Sequence, residues 1–158
     1  MTRKFRRLLG ATLASISVAA AAQMLPPYGP AINLDNARKV AAAAEAEARK
    51  NNWNATIAVV DTGGHLVYLL RLDGAQYATI PIATQKAQSA VAHRRPTKMF
   101  EDAVKGGNPQ VANLPTVIAV EGGVPLIADG RVIGAIGVSG TASAQDGQIA
   151  GAGAGALR

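Results

Sequence analysis

A series of short β-branched runs punctuated by glycine turns constrains this chain more than any other feature. Thr56-Ile57-Ala58-Val59-Val60 and His65-Leu66-Val67-Tyr68-Leu69-Leu70 flank Asp61-Thr62-Gly63-Gly64, so they read as two strands of a hairpin. Pro125-Leu126-Ile127-Ala128 and the run from Arg131 to Val138 flank Asp129-Gly130, a pair suited to a type I′ turn, which needs positive φ at both central residues. A further run, Thr116-Val117-Ile118-Ala119-Val120, precedes Gly122-Gly123. Strands joined by short turns predict an antiparallel five-stranded sheet flanked by helices, an α+β fold.

Helical spacing fills the gaps between these runs. Asn33 is a natural N-cap for a helix reaching Lys50, with Leu34, Ala37, Val40, Ala41, Ala44 and Ala48 on one face. Pro81 suits the first turn of a second helix that continues to Arg95 and stops at Pro96. Thr97 can then cap a short third helix through Met99, Phe100 and Val104, ended by Gly106-Gly107. The tail from Ser143 to Leu157, capped by Ser143 or Thr141, is the last helix. Gly147, Gly151, Gly153 and Gly155 each weaken it by ~1 kcal/mol relative to alanine, so it should fray unless it packs closely.

A length of 158 residues with 49% hydrophobic content suits one domain with a core of its own. The formal charge of +6 misleads about partners, because Arg3, Lys4, Arg6 and Arg7 crowd the first seven positions and the remainder holds 12 basic against 10 acidic residues. That opening reads as a signal peptide over residues 1–22: a basic start, an apolar run from Leu8 to Ala22, and small residues before a cut after Ala22. The apolar run falls short of the ~20 residues a spanning helix needs. The expected product is exported, periplasmic or secreted, without stable membrane insertion. Residues 23–32, with Pro26, Pro27, Gly29 and Pro30, form an arm, and residues 33–158 form the single domain.

Cysteine is absent, which removes disulfides, a thiolate nucleophile and thiolate metal ligands. An aromatic content of 4% argues against a stacking surface for nucleic acid. A phosphate loop, a dinucleotide fingerprint and a His-Glu-x-x-His zinc pattern are all missing, and no Gly-x-Ser-x-Gly elbow surrounds Ser139. No catalytic residue is assigned; the pattern favours a ligand-binding protein over a conventional enzyme.

Several motifs, in order, carry a resemblance: Val59-Val60-Asp61-Thr62-Gly63-Gly64-His65-Leu66, Arg71-Leu72-Asp73-Gly74-Ala75, Lys86-Ala87, Arg94-Arg95-Pro96-Thr97, Gly122-Gly123-Val124-Pro125-Leu126, and residues 134–140 leading to Gln145-Asp146. Together they resemble the GlcG/HbpS family of haem-binding proteins, related to the PduO C-terminal domain, across almost all of the chain after residue 22. The resemblance implies a small α+β domain in a profilin-like layer arrangement, assembled into a homo-oligomer, with haem as cofactor in some members. It leaves open a second reading, a binding module or enzyme for a small 2-hydroxy or 2-oxo acid.

The chain departs from the family at His93, where an aromatic residue is common, and an imidazole there suits haem iron. Arg94 and Arg95 would then pair with the propionates, since a guanidinium fork matches a carboxylate. Alternatively His93 merely complements the dipole at a helix end. The resemblance implies that a threonine of this segment, Thr97, belongs to the pocket, but a helix cap is the more economical reading of it. Arg71 can bind an anion or pair with Asp73. Gly122, Gly123 and Ser139 sit where backbone can approach a ligand, or where a turn alone requires them. His65 is read as hydrogen-bonding across its hairpin, and Asp61 as bracing its own turn.

Overall fold

The computed structural model describes residues 25–157; the expected signal peptide lies outside them. The order is α1 (Leu34–Lys50), β1 (Thr56–Asp61), β2 (Leu66–Arg71), α2 (Thr79–His93), α3 (Lys98–Lys105), a 3-10 turn (Pro109–Asn113), β3 (Gly123–Ala128), β4 (Arg131–Ser139) and α4 (Ser143–Gly155). The sheet is antiparallel in the order β2-β1-β4-β3. It has four strands, not five. Pro115 lacks an N–H, and Thr116 takes φ 66, which turns the chain before Val117 and keeps the β-branched run out of any ladder. That run is instead a half-buried loop over α2, tied by Ile118 N–H donating to Ser89 Oγ at 3.2 Å. Its composition reports burial, which β-branched residues satisfy in loops as well as strands.

Period-two alternation decides what each strand face meets. Ile57, Val59, Ile136 and Val138 join Val40, Ala41, Ala44 and Ile149 in a core between the sheet and α1 with α4. Val60, Val132 and Ala135 pack with Ala87, Ala90 and Val91 of α2 on the opposite face. Helices therefore cover both faces, and small residues set how closely they approach. α4 does not hang free: a Cβ on Gly153 would lie 2.6 Å from Ile136 Cδ1 and 3.0 Å from Val40 O, so glycine allows α4 to seat against the sheet and α1. No described helix is long and apolar enough to cross a membrane.

The turn between β3 and β4 takes the expected form, with Asp129 at φ 48 and Gly130 at φ 70. Asn33 caps α1, its Oδ1 accepting from Asn36 N–H at 2.9 Å. Two other expected caps differ. Thr97 has no capping bond; its hydroxyl accepts from Gly123 N–H at 2.9 Å, while its own N–H donates to Gly123 O at 2.9 Å, and this pairing outcompetes the local cap. At α4 the N-cap position is Ala142, whose N–H donates to the Gln145 side chain at 3.2 Å. Ser143 and Thr141 turn instead to the carboxylates of Glu101 and Asp146. α2 also begins earlier than expected, at Thr79, with Pro81 still inside the first turn where no intrahelical N–H is needed.

Candidate ligand site

The C-terminal half of α2 forms one wall of a cleft of about 500 Å³, lined by Gln85, Gln88, Val91 and Ala92, by the Thr62-Gly63-Gly64 turn, and by Thr116, Val117 and Ile118. That volume lies within the ~300–1,000 Å³ of small-molecule and cofactor sites. The turn is held to the helix by Gln88 Nε2 donating to Gly64 O at 3.1 Å. The loop is held at its far end by Glu101, buried at 8% exposure, which accepts from Glu121 N–H at 2.5 Å. The Lys105 ammonium beside it keeps the Glu101 carboxyl below the usual carboxylate range against the opposing effect of burial.

His93 stands at the end of α2, its ring edge-on to Phe100 at 5.1 Å. Its Nε2 lies 3.1 Å from Thr116 Oγ1 and 3.4 Å from Pro115 O. Thr116 Oγ1 also lies 2.5 Å from Pro115 O, so the hydroxyl, the carbonyl and the imidazole form one polar cluster at the start of the loop. His93 thus latches the loop that walls the cleft.

Arg94 closes α2 in the left-handed region at φ 51, and Arg95 N–H returns to Ala90 O at 3.2 Å, as in a Schellman turn. The Arg94 guanidinium stacks 5.2 Å over the Tyr28 ring and donates to Pro26 O at 3.1 Å. Tyr28 in turn donates to Val91 O at 2.9 Å. The proline-rich arm is therefore strapped to the end of α2 and extends one edge of β4, through a bridge from Tyr28 to Val132. Arg95 is exposed.

The remaining candidates lie elsewhere along α2, whose 15 residues span roughly 22 Å. Near its start, Arg71 donates to Ala75 O at 3.1 Å and lies over the Tyr77 ring at 4.7 Å, in place of a pair with Asp73. Ser139 is buried opposite Thr56, which bonds Thr79 at 2.7 Å. At mid-helix, a Cβ on Gly122 would lie 2.9 Å from Lys86 Nζ, and one on Gly123 would lie 2.3 Å from Lys86 O. These glycines admit α2 and its lysine. Only the His93 end of the candidate set adjoins the cleft.

Two groups that the sequence leaves unassigned explain the middle of the molecule. Lys86 and Asp146 pair at 2.8 Å, with side chains only 1% and 3% exposed, and Asp146 Oδ1 also accepts from the Thr141 N–H and hydroxyl. Lys86 falls on the buried stripe of α2 beside Ala83, Ala87 and Ala90; a charge on an apolar stripe is the available signal. No group of three or more His, Cys, Asp or Glu among the described residues is placed to hold a metal ion alone.

Residues 32–155 match the family model for the haem-degrading protein HbpS-like family. Protein GlcG of Escherichia coli K12 is 45% identical over 103 residues, covering 65% of this chain and 77% of GlcG. The crystal structure of a double mutant of Streptomyces reticuli HbpS superposes with a TM-score of 0.75 at 30% identity, covering 96% of this chain and 99% of that one. A PduOC:haem complex superposes with a TM-score of 0.72 at 26% identity, covering 81% of this chain and 96% of that one. With most of its length inside the family model and the same layered fold, the chain belongs to the HbpS-like family, the group that includes GlcG.

Proposed function

We propose that this chain is an exported haem-binding protein that captures, stores or senses haem, and that haem seats in the cleft beside α2. The observation carrying this reading is the cleft itself, with aliphatic walls from Val91, Ala92, Val117 and Ile118 and the His93 imidazole held behind its Thr116 wall. A porphyrin needs apolar walls and an axial donor, and imidazole is a common nitrogen ligand of haem iron. The PduOC relative crystallised with haem supports the same reading. Arg94 is committed to the arm, so exposed Arg95 is the better propionate partner of the two. His93 reaches iron through Nε2 only if the Thr116 contact opens.

The small-acid reading has less support, because no cationic side chain is among the described residues lining the cleft, and the Gly122-Gly123 backbone is occupied by Lys86 and Thr97. Titration with haemin separates the two. A saturable one-to-one Soret complex and a raised melting temperature are expected with haemin. Stabilisation by glycolate-like acids with no Soret complex would reject haem. For export, the expected product in an exporting host begins near Gln23 and leaves the membrane; an intact mass of the full 158-residue chain in washed membranes would reject it.

A further inference from the structure

We infer that Ser89 is the positioning residue of the cleft: with its neighbour Gln88 it fixes the spacing of the two walls, and it does so against backbone strain held at Thr116. The inference rests on the haem reading and names what shapes its site. Successive residues of a helix point about 100° apart, so Gln88 and Ser89 reach different flanks of α2. Gln88 Nε2 donates to Gly64 O at 3.1 Å on one flank, and Ser89 Oγ accepts from Ile118 N–H at 3.2 Å on the other. Gly64 and Ile118 both line the cleft, on opposite sides of the helix wall. One helical step thus sets one wall against the other.

Ser89 is fully buried, at 0% exposure, beside Ala90 and Val91, and does not itself line the cleft. A hydroxyl is costly there unless it is bonded, and the bond it makes is to the loop. Among the described residues, that bond is also the one link from the backbone of Thr116 to Val120 to another element, since the Val117 N–H turns back to Leu114 O at 3.2 Å within the loop. The loop needs holding. Thr116, a β-branched residue, sits at φ 66 in the left-handed region, where its Cβ crowds the following carbonyl. Strained backbone of this kind persists only where its surroundings over-determine it, and ligand clamps are one such place. His93 holds the Thr116 side chain at 3.1 Å, and Ser89 holds the main chain two residues on. With Ser89 removed, Thr116 relaxes toward ordinary backbone and carries Val117 and Ile118 out of the cleft wall.

Ser89→Ala tests this through two readouts. In ligand-free protein, hydrogen exchange at the Ile118 amide should quicken about tenfold, the effect of one lost buried bond, while amides of β1 and β4 stay within about twofold of wild type. Haemin affinity should fall about tenfold, chiefly through faster dissociation. Adding Thr116→Asn, a residue that accepts the left-handed region more readily, should recover more than half of that loss on a logarithmic scale. Wild-type haemin affinity in Ser89→Ala overturns the positioning role while haem binding stands. Equal acceleration of exchange at Ile118 and across β1 and β4 overturns it in favour of general packing, and no recovery in the double variant overturns the part assigned to strain at Thr116. A wild type that forms no Soret complex removes the haem reading, and the exchange rates then decide by themselves whether Ser89 positions the wall.

Discussion

Replacing Lys86 with methionine is expected to destabilise the protein by about 3–5 kcal/mol, a melting-temperature loss of roughly 10–20 °C for a domain of this size. The cause is Asp146, not lost packing. Methionine fills most of the volume of the lysine stem, whereas the carboxylate loses its cationic partner, 2.8 Å away, at a site where its side chain is 3% exposed. The Thr141 N–H and hydroxyl remain as donors to Oδ1, but Oδ2 is left bare in a low-dielectric environment. The double replacement Lys86→Met with Asp146→Asn removes the orphaned charge and keeps an acceptor for Thr141. It should recover more than half of the loss. Urea denaturation of the two variants decides the matter: equal losses in both would mean that packing around Lys86, not the buried charge, carries the effect.

The pair also shows why some of the fold is legible in the sequence and some is not. Both hairpins can be read because turn chemistry is local: the φ values at Asp129 and Gly130 are what that dipeptide supplies. Asn33 can be read as a cap for the same reason. Lys86 and Asp146 are 60 residues apart, and nothing in either neighbourhood names the other. The Thr116 to Val120 run misleads because its pattern is that of a buried segment, and pattern alone cannot separate a strand from a loop pressed onto a helix. Thr97 misleads because a hydroxyl before a helix suits a cap unless a better donor, here Gly123 N–H, arrives from across the fold.

The candidate site is legible only in part, for a related reason. Gly122 and Gly123 are points of close approach, as their sequence suggests, but what approaches is Lys86 and Thr97 of the chain itself. His93 stands out for its imidazole, yet its Nε2 partner, Thr116, lies on a loop that reads as a strand. The Asp61-Thr62-Gly63-Gly64-His65 turn reads as structural. Its position across the cleft from residues 116–118 follows from the helix that joins them, a tertiary fact no spacing rule contains.

Gly137→Ala is expected to cost about 3 kcal/mol or more, at or beyond the upper end of ordinary overpacking, although a glycine-to-alanine change in a strand would ordinarily add stability. Alanine removes unfolded-state entropy worth ~0.5–1 kcal/mol and is the better strand residue. At this position a Cβ would sit 2.0 Å from Ala83 O and 2.5 Å from Ala87 N. Both are backbone atoms of α2, so no side-chain rotation relieves the clash, and the helix must rise from the sheet. Gly137 pairs with Gly123 on β3 and Ala58 on β1, a row of small residues that forms the trough in which α2 lies. Lifting the helix opens the contacts of Ala87, Ala90 and Val91 with Val60, Val132 and Ala135. It also displaces Gln85, Gln88, Val91 and Ala92, so ligand binding should weaken along with stability. Gly151→Ala is the control, since that glycine lies in α4 with no atom within 4 Å of a new Cβ; it should stabilise by ~0.5–1 kcal/mol through helix propensity alone. Thermal melts of the two variants should therefore move in opposite directions, and a Gly137→Ala melt at or above wild type would show that α2 does not bear on the sheet at Gly137.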